Sequence, residues 1–274
     1  MPDSLTLKEE RTLTFPKPVF ERAADYHTLA ETLSMLEMQY TCLRVTGIGE
    51  TMLGRTVYAV TLGNPDAPGV LYVGGIHGGD SQSTAALLRF ISDYGEYYER
   101  GKRMYGVSMA YLNAGRSITV IPMLNPDGIS IFRKTAQPLH HIDVPPENWT
   151  GNARNADLMR DFETACREPE TCAVTGYVKT MDNMEMCLCL CPGETGISYN
   201  PGAKRAVPVG RLLSRMIGCT VKKSAYGMAK WFTEETGKPA YTCPNFEDNT
   251  TQPDDYIALY AALREVLFSM PLLI

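Results

Sequence analysis

The chain has 274 residues, 44% of them hydrophobic, which is enough material to bury the core of one sizeable α/β domain. Its 26 basic and 31 acidic residues leave a net charge of −5, a balance that argues against a nucleic-acid partner, because such binders carry a basic surplus. No apolar run nears the roughly 18 residues of a membrane span, so no membrane partner is expected either.

Met1-Pro2-Asp3-Ser4-Leu5 lacks a basic stretch running into an apolar one, so no signal peptide is read and the expected address is cytoplasmic. Cys187, Cys189 and Cys191 alternate in one short segment and would share a strand face, where they are poor disulfide partners. All eight cysteines are read as thiols, with metal ligation open to some of them.

After an N-terminal extension over residues 1–20, Ala24 to Tyr40 has helical spacing, with Leu29, Leu33, Leu36 and Met38 between polar residues. Cys42 to Thr46 and Thr56 to Leu62 read as strands. Gly69 to Val73 is a short apolar run ending at Gly74-Gly75, which fits a buried strand. Ser81 to Tyr98 follows as a helix with Ala85, Leu88, Phe90 and Ile91 on its buried side. Ser117 to Met123 is the next apolar strand and stops at the turn Asn125-Pro126-Asp127-Gly128. Thr135 to Asn152 is rich in Pro, His and polar residues and reads as a long loop.

Two helical stretches flank Glu168-Pro169-Glu170-Thr171, where the proline suits a helix start. Met186 to Leu190 is a strand, Ala203 to Ile217 a helix and Met228 to Glu235 a short helix. Pro239 to Cys243 is a last strand and Asp254 to Ser269 a closing helix. The alternation predicts a single α/β domain over residues 1–274, with a mixed, mostly parallel central sheet and helices on both faces. Ligands of such sheets bind at the carboxyl ends of the strands, here near His77, Asn125, Cys191 and Pro244.

Those strand ends carry a series of motifs. Gly74-Gly75-Ile76-His77-Gly78-Gly79-Asp80 resembles the His-x-x-Glu zinc motif of the metallocarboxypeptidases, with Asp for Glu. Asn125-Pro126-Asp127-Gly128 resembles that family's next turn. The segment from Asn152 to Phe162 is similar to Asn-Ala-Arg-Gly-Val-Asp-Leu-Asn-Arg-Asn-Phe, a form typical of the bacterial branch that cuts γ-D-glutamyl–diamino-acid bonds in cell-wall peptides. Leu190-Cys191-Pro192-Gly193-Glu194 resembles Leu-His-Ser-x-Gly-Glu. The stretch from Trp231 to Pro244 resembles the one ending in Thr-Ile-Glu. The matches keep family order from about residue 25 to about residue 265.

The resemblance implies a zinc-dependent peptidase acting on small peptides, with metal ligands at His77, Asp80 and Cys191. A catalytic zinc keeps three protein ligands and an open position for water, whose pKa it lowers while a carboxylate takes the proton. Asp is an acceptable ligand but one methylene shorter than Glu, and Asp80 equally suits an N-cap for the helix at Ser81. Cys191 stands where the family has its third ligand, His. As thiolate it binds zinc well but makes a weaker Lewis acid, and its ordinary alternative is a buried strand cysteine.

Pro244 occupies the position of the catalytic Glu. Glu247, Asp248 and Glu194 are the nearest carboxylates, with Glu247 and Glu194 as candidate bases. Met159 replaces the Asn of the substrate-binding Asn-Arg pair and leaves Arg160. Arg154 matches the other carboxylate-binding arginine, and a buried pairing with Asp127 or Asp157 is its alternative. The resemblance sets Tyr226 against the family's active-site tyrosine, with a core or surface tyrosine as its alternative, and offers His140-His141 in the long loop as further ligand candidates, with simple exposure as theirs. Two functions stay open. One is a zinc peptidase with an impaired site. The other is a non-catalytic protein on the same scaffold that binds a small peptide or another carboxylate-bearing ligand.

Overall fold

The computed structural model describes residues 25–192, 195–245 and 255–274. The N-terminal extension and the candidate bases Glu194 and Glu247, with Asp248, lie outside the described residues.

A mixed eight-stranded sheet organises the chain. Its strands are β1 (Leu43–Glu50), β2 (Thr56–Gly63), β3 (Gly69–Val73), β6 (Ser117–Ile121), β7 (Met184–Pro192), β8 (Gly196–Tyr199), β9 (Thr220–Lys222) and β10 (Ala240–Asn245). The spatial order is β1-β2-β6-β3-β7-β10-β8-β9, and β4 (Arg103–Met104) and β5 (Val107–Ser108) form a separate hairpin. The four central strands, β6, β3, β7 and β10, run parallel, while β1, β2 and β8 pair antiparallel with their inner neighbours. The sheet is therefore mixed around a parallel centre, as the alternation of helix and strand signals predicts.

Period-two alternation sorts side chains onto two cores. On one face, Tyr72, Leu188, Leu190 and Tyr241 pack against α1 (Tyr26–Gln39), α2 (Ser81–Glu99), α7 (Ala206–Ile217) and α9 (Asp255–Ser269). On the other, Leu71, Val73, Cys187, Cys189, Cys191 and Ala240 meet α5 (Leu158–Phe162), α6 (Pro169–Lys179) and α8 (Gly227–Thr236). The remaining helices are α3 (Met109–Gly115) and α4 (Pro126–Phe132).

Several elements differ from the sequence reading, among them α4, β7, β8 and β9. The turn at Asn125 continues as α4, because Asn125 Oδ1 accepts from Gly128 N at 2.9 Å and Pro126 starts the helix. β7 runs on through Cys191 to Pro192, held by pairing with β10. β8 and β9 are four and three residues long, too short to show a period of their own.

Candidate functional site

The carboxyl ends of β3, β7 and β10 lie side by side. Val73 pairs with Cys189, and Cys191 pairs with Pro244. His77 follows β3 by a tight turn that demands glycine. Gly75 has φ +61°, and a Cβ there would sit 2.6 Å from Thr84 Oγ1 and 2.8 Å from Met123 Cα. Asn125 Nδ2 fastens the turn from outside by donating to Ile76 O and Gly151 O, each at 3.0 Å. His77 is half-buried at this edge, and its ring makes no hydrogen bond or ion pair to another described residue.

Asp80 is buried, and its carboxylate is spent on the start of α2. Oδ1 accepts from Ser83 N at 3.2 Å, and Oδ2 from Ser83 Oγ at 2.5 Å and Gly75 N at 3.2 Å. It is the N-cap of α2, and the same bonds brace the turn that carries His77.

Cys191 is fully buried, on the face it shares with Cys187 and Cys189. Its Sγ lies 3.4 Å from Tyr226 Oη. Burial pushes the Cys187 and Cys189 thiols well up, so those two sulfurs are held as neutral apolar groups. Pro244 faces the same side next to Cys191. Among the described residues β10 pairs with β8 at Tyr241 and Thr242, and past that pairing a residue without an N–H is tolerated.

The two arginines have different fates. Arg154 Nη2 donates to both carboxylate oxygens of Glu168, at 2.9 and 2.8 Å. The two alternatives read for it are corrected: Asp127 is taken by Arg55 at 2.9 Å and by Leu53 N, and Asp157 caps α5. Arg160 is exposed on α5, with no ion pair to another described residue. Met159 is buried, and Gly227 packs so closely on it that a Cβ would come within 2.5 Å of Met159 Cε. His140 and His141 are exposed on the long loop.

A polar network behind Arg154 was legible only as a helix start. Asn152 Nδ2 donates to Glu168 at 2.7 Å and to buried Glu170 at 3.1 Å, while its Oδ1 accepts from Arg154 N and Ala156 N. Burial raises the Glu170 carboxyl to about 7. Asp161 closes the other side by accepting from Arg167 N, Glu168 N and Thr171 Oγ1. The clue in the sequence was the density of carboxylates in Glu168-Pro169-Glu170, beside a residue expected to bind anions.

Residues 29–242 match the zinc carboxypeptidase family model. The chain belongs to the zinc carboxypeptidase family. Human carboxypeptidase D is 26% identical over 204 residues, 72% of this chain and 14% of that protein. The γ-D-glutamyl-L-diamino acid endopeptidase 1 of Lysinibacillus sphaericus is 24% identical over 140 residues, 48% of this chain and 33% of that protein. The chain thus spans a third or less of the length of these relatives. Among solved structures, thrombin-activatable fibrinolysis inhibitor aligns with a TM-score of 0.72 at 14% identity, over 94% of this chain and 77% of that one. A metallo-carboxypeptidase from Burkholderia cenocepacia aligns with a TM-score of 0.67 at 17% identity, over 90% and 69%. At such identities these likenesses establish the fold.

The described residues do not suit the zinc of this family. Asp80 gives its oxygens to the cap, and Cys191 sits in an apolar strand face. Among the described residues no group of three His, Cys, Asp or Glu is placed to hold a metal ion.

Proposed function

We propose that this member of the zinc carboxypeptidase family has lost peptide hydrolysis and keeps a role in binding small carboxylate-bearing peptides. The observation that carries the reading is the pairing of Cys191 with Pro244 at the ends of β7 and β10. By the motif match, those two positions hold a ligand imidazole and the general base. Proline can neither accept a proton nor ligate a metal, and general-base help alone is typically worth about 10²- to 10⁴-fold in rate. The commitment of Asp80 to its cap works in the same direction.

Binding needs less. Arg160 offers an exposed guanidinium able to take a carboxylate in two parallel hydrogen bonds. Tyr226 Oη, beside Cys191, adds a hydroxyl at the same sheet edge. The likeness to the Lysinibacillus endopeptidase makes γ-D-glutamyl–diamino-acid peptides the first ligands to try. A cytoplasmic setting suits the eight free thiols.

The test pairs hydrolysis with binding. Incubated with zinc and γ-D-glutamyl–diamino-acid peptides or C-terminal dipeptides, the unaltered chain should release no product. Calorimetry with the same peptides should show binding that weakens about tenfold or more in Arg160→Ala, as for loss of a charged hydrogen-bond partner. Steady cleavage abolished by His77→Ala would overturn the reading.

A further inference from the structure

The net charge of −5 conceals a strong local asymmetry. From Thr195 to Thr233 the sequence contains Lys204, Arg205, Arg211, Arg215, Lys222, Lys223 and Lys230, with no Asp or Glu at all. The fold gathers most of these cations on one flank, because α7 lies against β8 and β9 at the end of the sheet. Its apolar side, Ala206, Val209 and Leu213, is buried, and Gly210 meets the Tyr199 ring so closely that a Cβ would lie 2.5 Å from it. The opposite side of α7 is therefore obliged to face outward.

That outward side carries Arg211 and Arg215, one helical turn apart, with Leu212 protruding beside them at 39% exposure. Lys204 and Arg205 extend the basic strip beyond the start of α7, and Lys222 and Lys223 lie at the end of the edge strand β9. Among the described residues Lys204, Arg205, Arg211, Arg215 and Lys223 form no ion pair. The acidic neighbour that shares a cavity with Lys204 and Arg205 is Glu185, and both its oxygens are held by Lys238 Nζ at 2.7 Å. Like charges spaced i and i+4 weaken a helix slightly, so Arg211 and Arg215 sit side by side at some expense to stability.

We propose that the α7–β9 flank docks the protein onto an anionic phospholipid surface. The solvent-facing cations Lys204, Arg205, Arg211, Arg215 and Lys223 are attracted to acidic headgroups, and each adds to the binding. Arginine suits phosphate because its planar fork donates two hydrogen bonds at once. Leu212, projecting beside Arg211 and Arg215, supplies an apolar contact at headgroup depth. A single-stranded nucleic acid would call for aromatic side chains on which bases stack, and residues 204–223 contain none. No helix among the described residues is long and apolar enough to cross a membrane.

The experiment is co-sedimentation of the full chain with vesicles of phosphatidylcholine alone, or with about a third of the lipid as phosphatidylserine. Binding should appear only with the acidic lipid and fall steeply as salt is raised. Arg211→Glu with Arg215→Glu should reduce it about tenfold or more, and Leu212→Ala should reduce it less. Lys102→Glu, before β4 and over the Tyr97 ring of α2, should leave it unchanged. Arg211→Gln with Arg215→Gln provides the same reading if the double reversal fails to fold, as judged by circular dichroism. Equal sedimentation with both vesicle types, or with neither, overturns the proposal. So does salt-sensitive binding to an RNA or to polyglutamate that the acidic vesicles do not match.

Discussion

Asp80 takes hydrogen bonds from Gly75 N and from both the amide and the hydroxyl of Ser83, and so ties the start of α2 to the turn beneath His77. Replacing it with alanine should cost about 1–2 kcal/mol, the usual range for losing a helix cap. Urea unfolding without added metal should show that loss in full. A variant as stable as the parent until zinc is supplied would point back to ligation. Glu170 offers a second measurement at this scale. Its carboxyl is raised from 4.5 to about 7 chiefly by burial, with Asp127 and Glu168 adding repulsion. Between those two values the folded chain keeps a proton that the unfolded chain has released. Stability should therefore fall as pH rises from about 4.5 to about 7, and then level off. Glu170→Gln should flatten that slope and be more stable than the parent at pH 8 by roughly 1–3 kcal/mol. Urea midpoints at pH 5 and pH 8 test it, and identical slopes for both proteins would count against it.

At the scale of elements, the junction of α5 and α8 is packed on one side chain. Met159 turns into the core, and Gly227 at φ +56° lies against it. Gly227→Ala combines a left-handed backbone with a clash on Met159 Cε and should cost about 1–3 kcal/mol. In a Met159→Ala background the clash vanishes and the backbone strain stays. A double-mutant cycle should then show coupling of about 1 kcal/mol, and strict additivity would refute the contact. The same junction shows what the sequence could reveal. Helices and strands with several apolar repeats, such as α2, β3 and α7, declare themselves by period and by buried partners. β9 and α4 do not, because three residues carry no period and an Asn-Pro-Asp-Gly turn does not show whether a helix follows. The candidate site was legible as positions, since strand order brings Cys191 and Pro244 together. It was less legible as partners. That Arg154 goes to Glu168, rather than to Asp127 or Asp157, depends on how two loops meet.

Over the whole molecule, a zinc carboxypeptidase framework surrounds a sheet edge where Asp80 caps a helix and Cys191 lies in the core. A ligand that binds only the folded state raises its stability by an amount set by concentration over affinity, about 2.7 kcal/mol at a hundredfold excess over Kd. In a chain of this size that corresponds to a rise in melting temperature of roughly 5 °C. Zinc should produce no such rise in the unaltered protein, and a chelator should leave its melting curve in place. The triple variant Asp80→Glu, Cys191→His and Pro244→Glu supplies the family's ligand pair and base to a backbone already in position. It should lose some stability through the altered cap and the new charge beside a buried strand, then recover several degrees with zinc. Cleavage of γ-D-glutamyl–diamino-acid peptides should appear in the triple variant alone, because base and metal act on one water and neither is productive without the other. If zinc raises the melting temperature of the unaltered chain by the same several degrees, and His77→Ala removes that rise, the metal site was never lost and the proposed function fails.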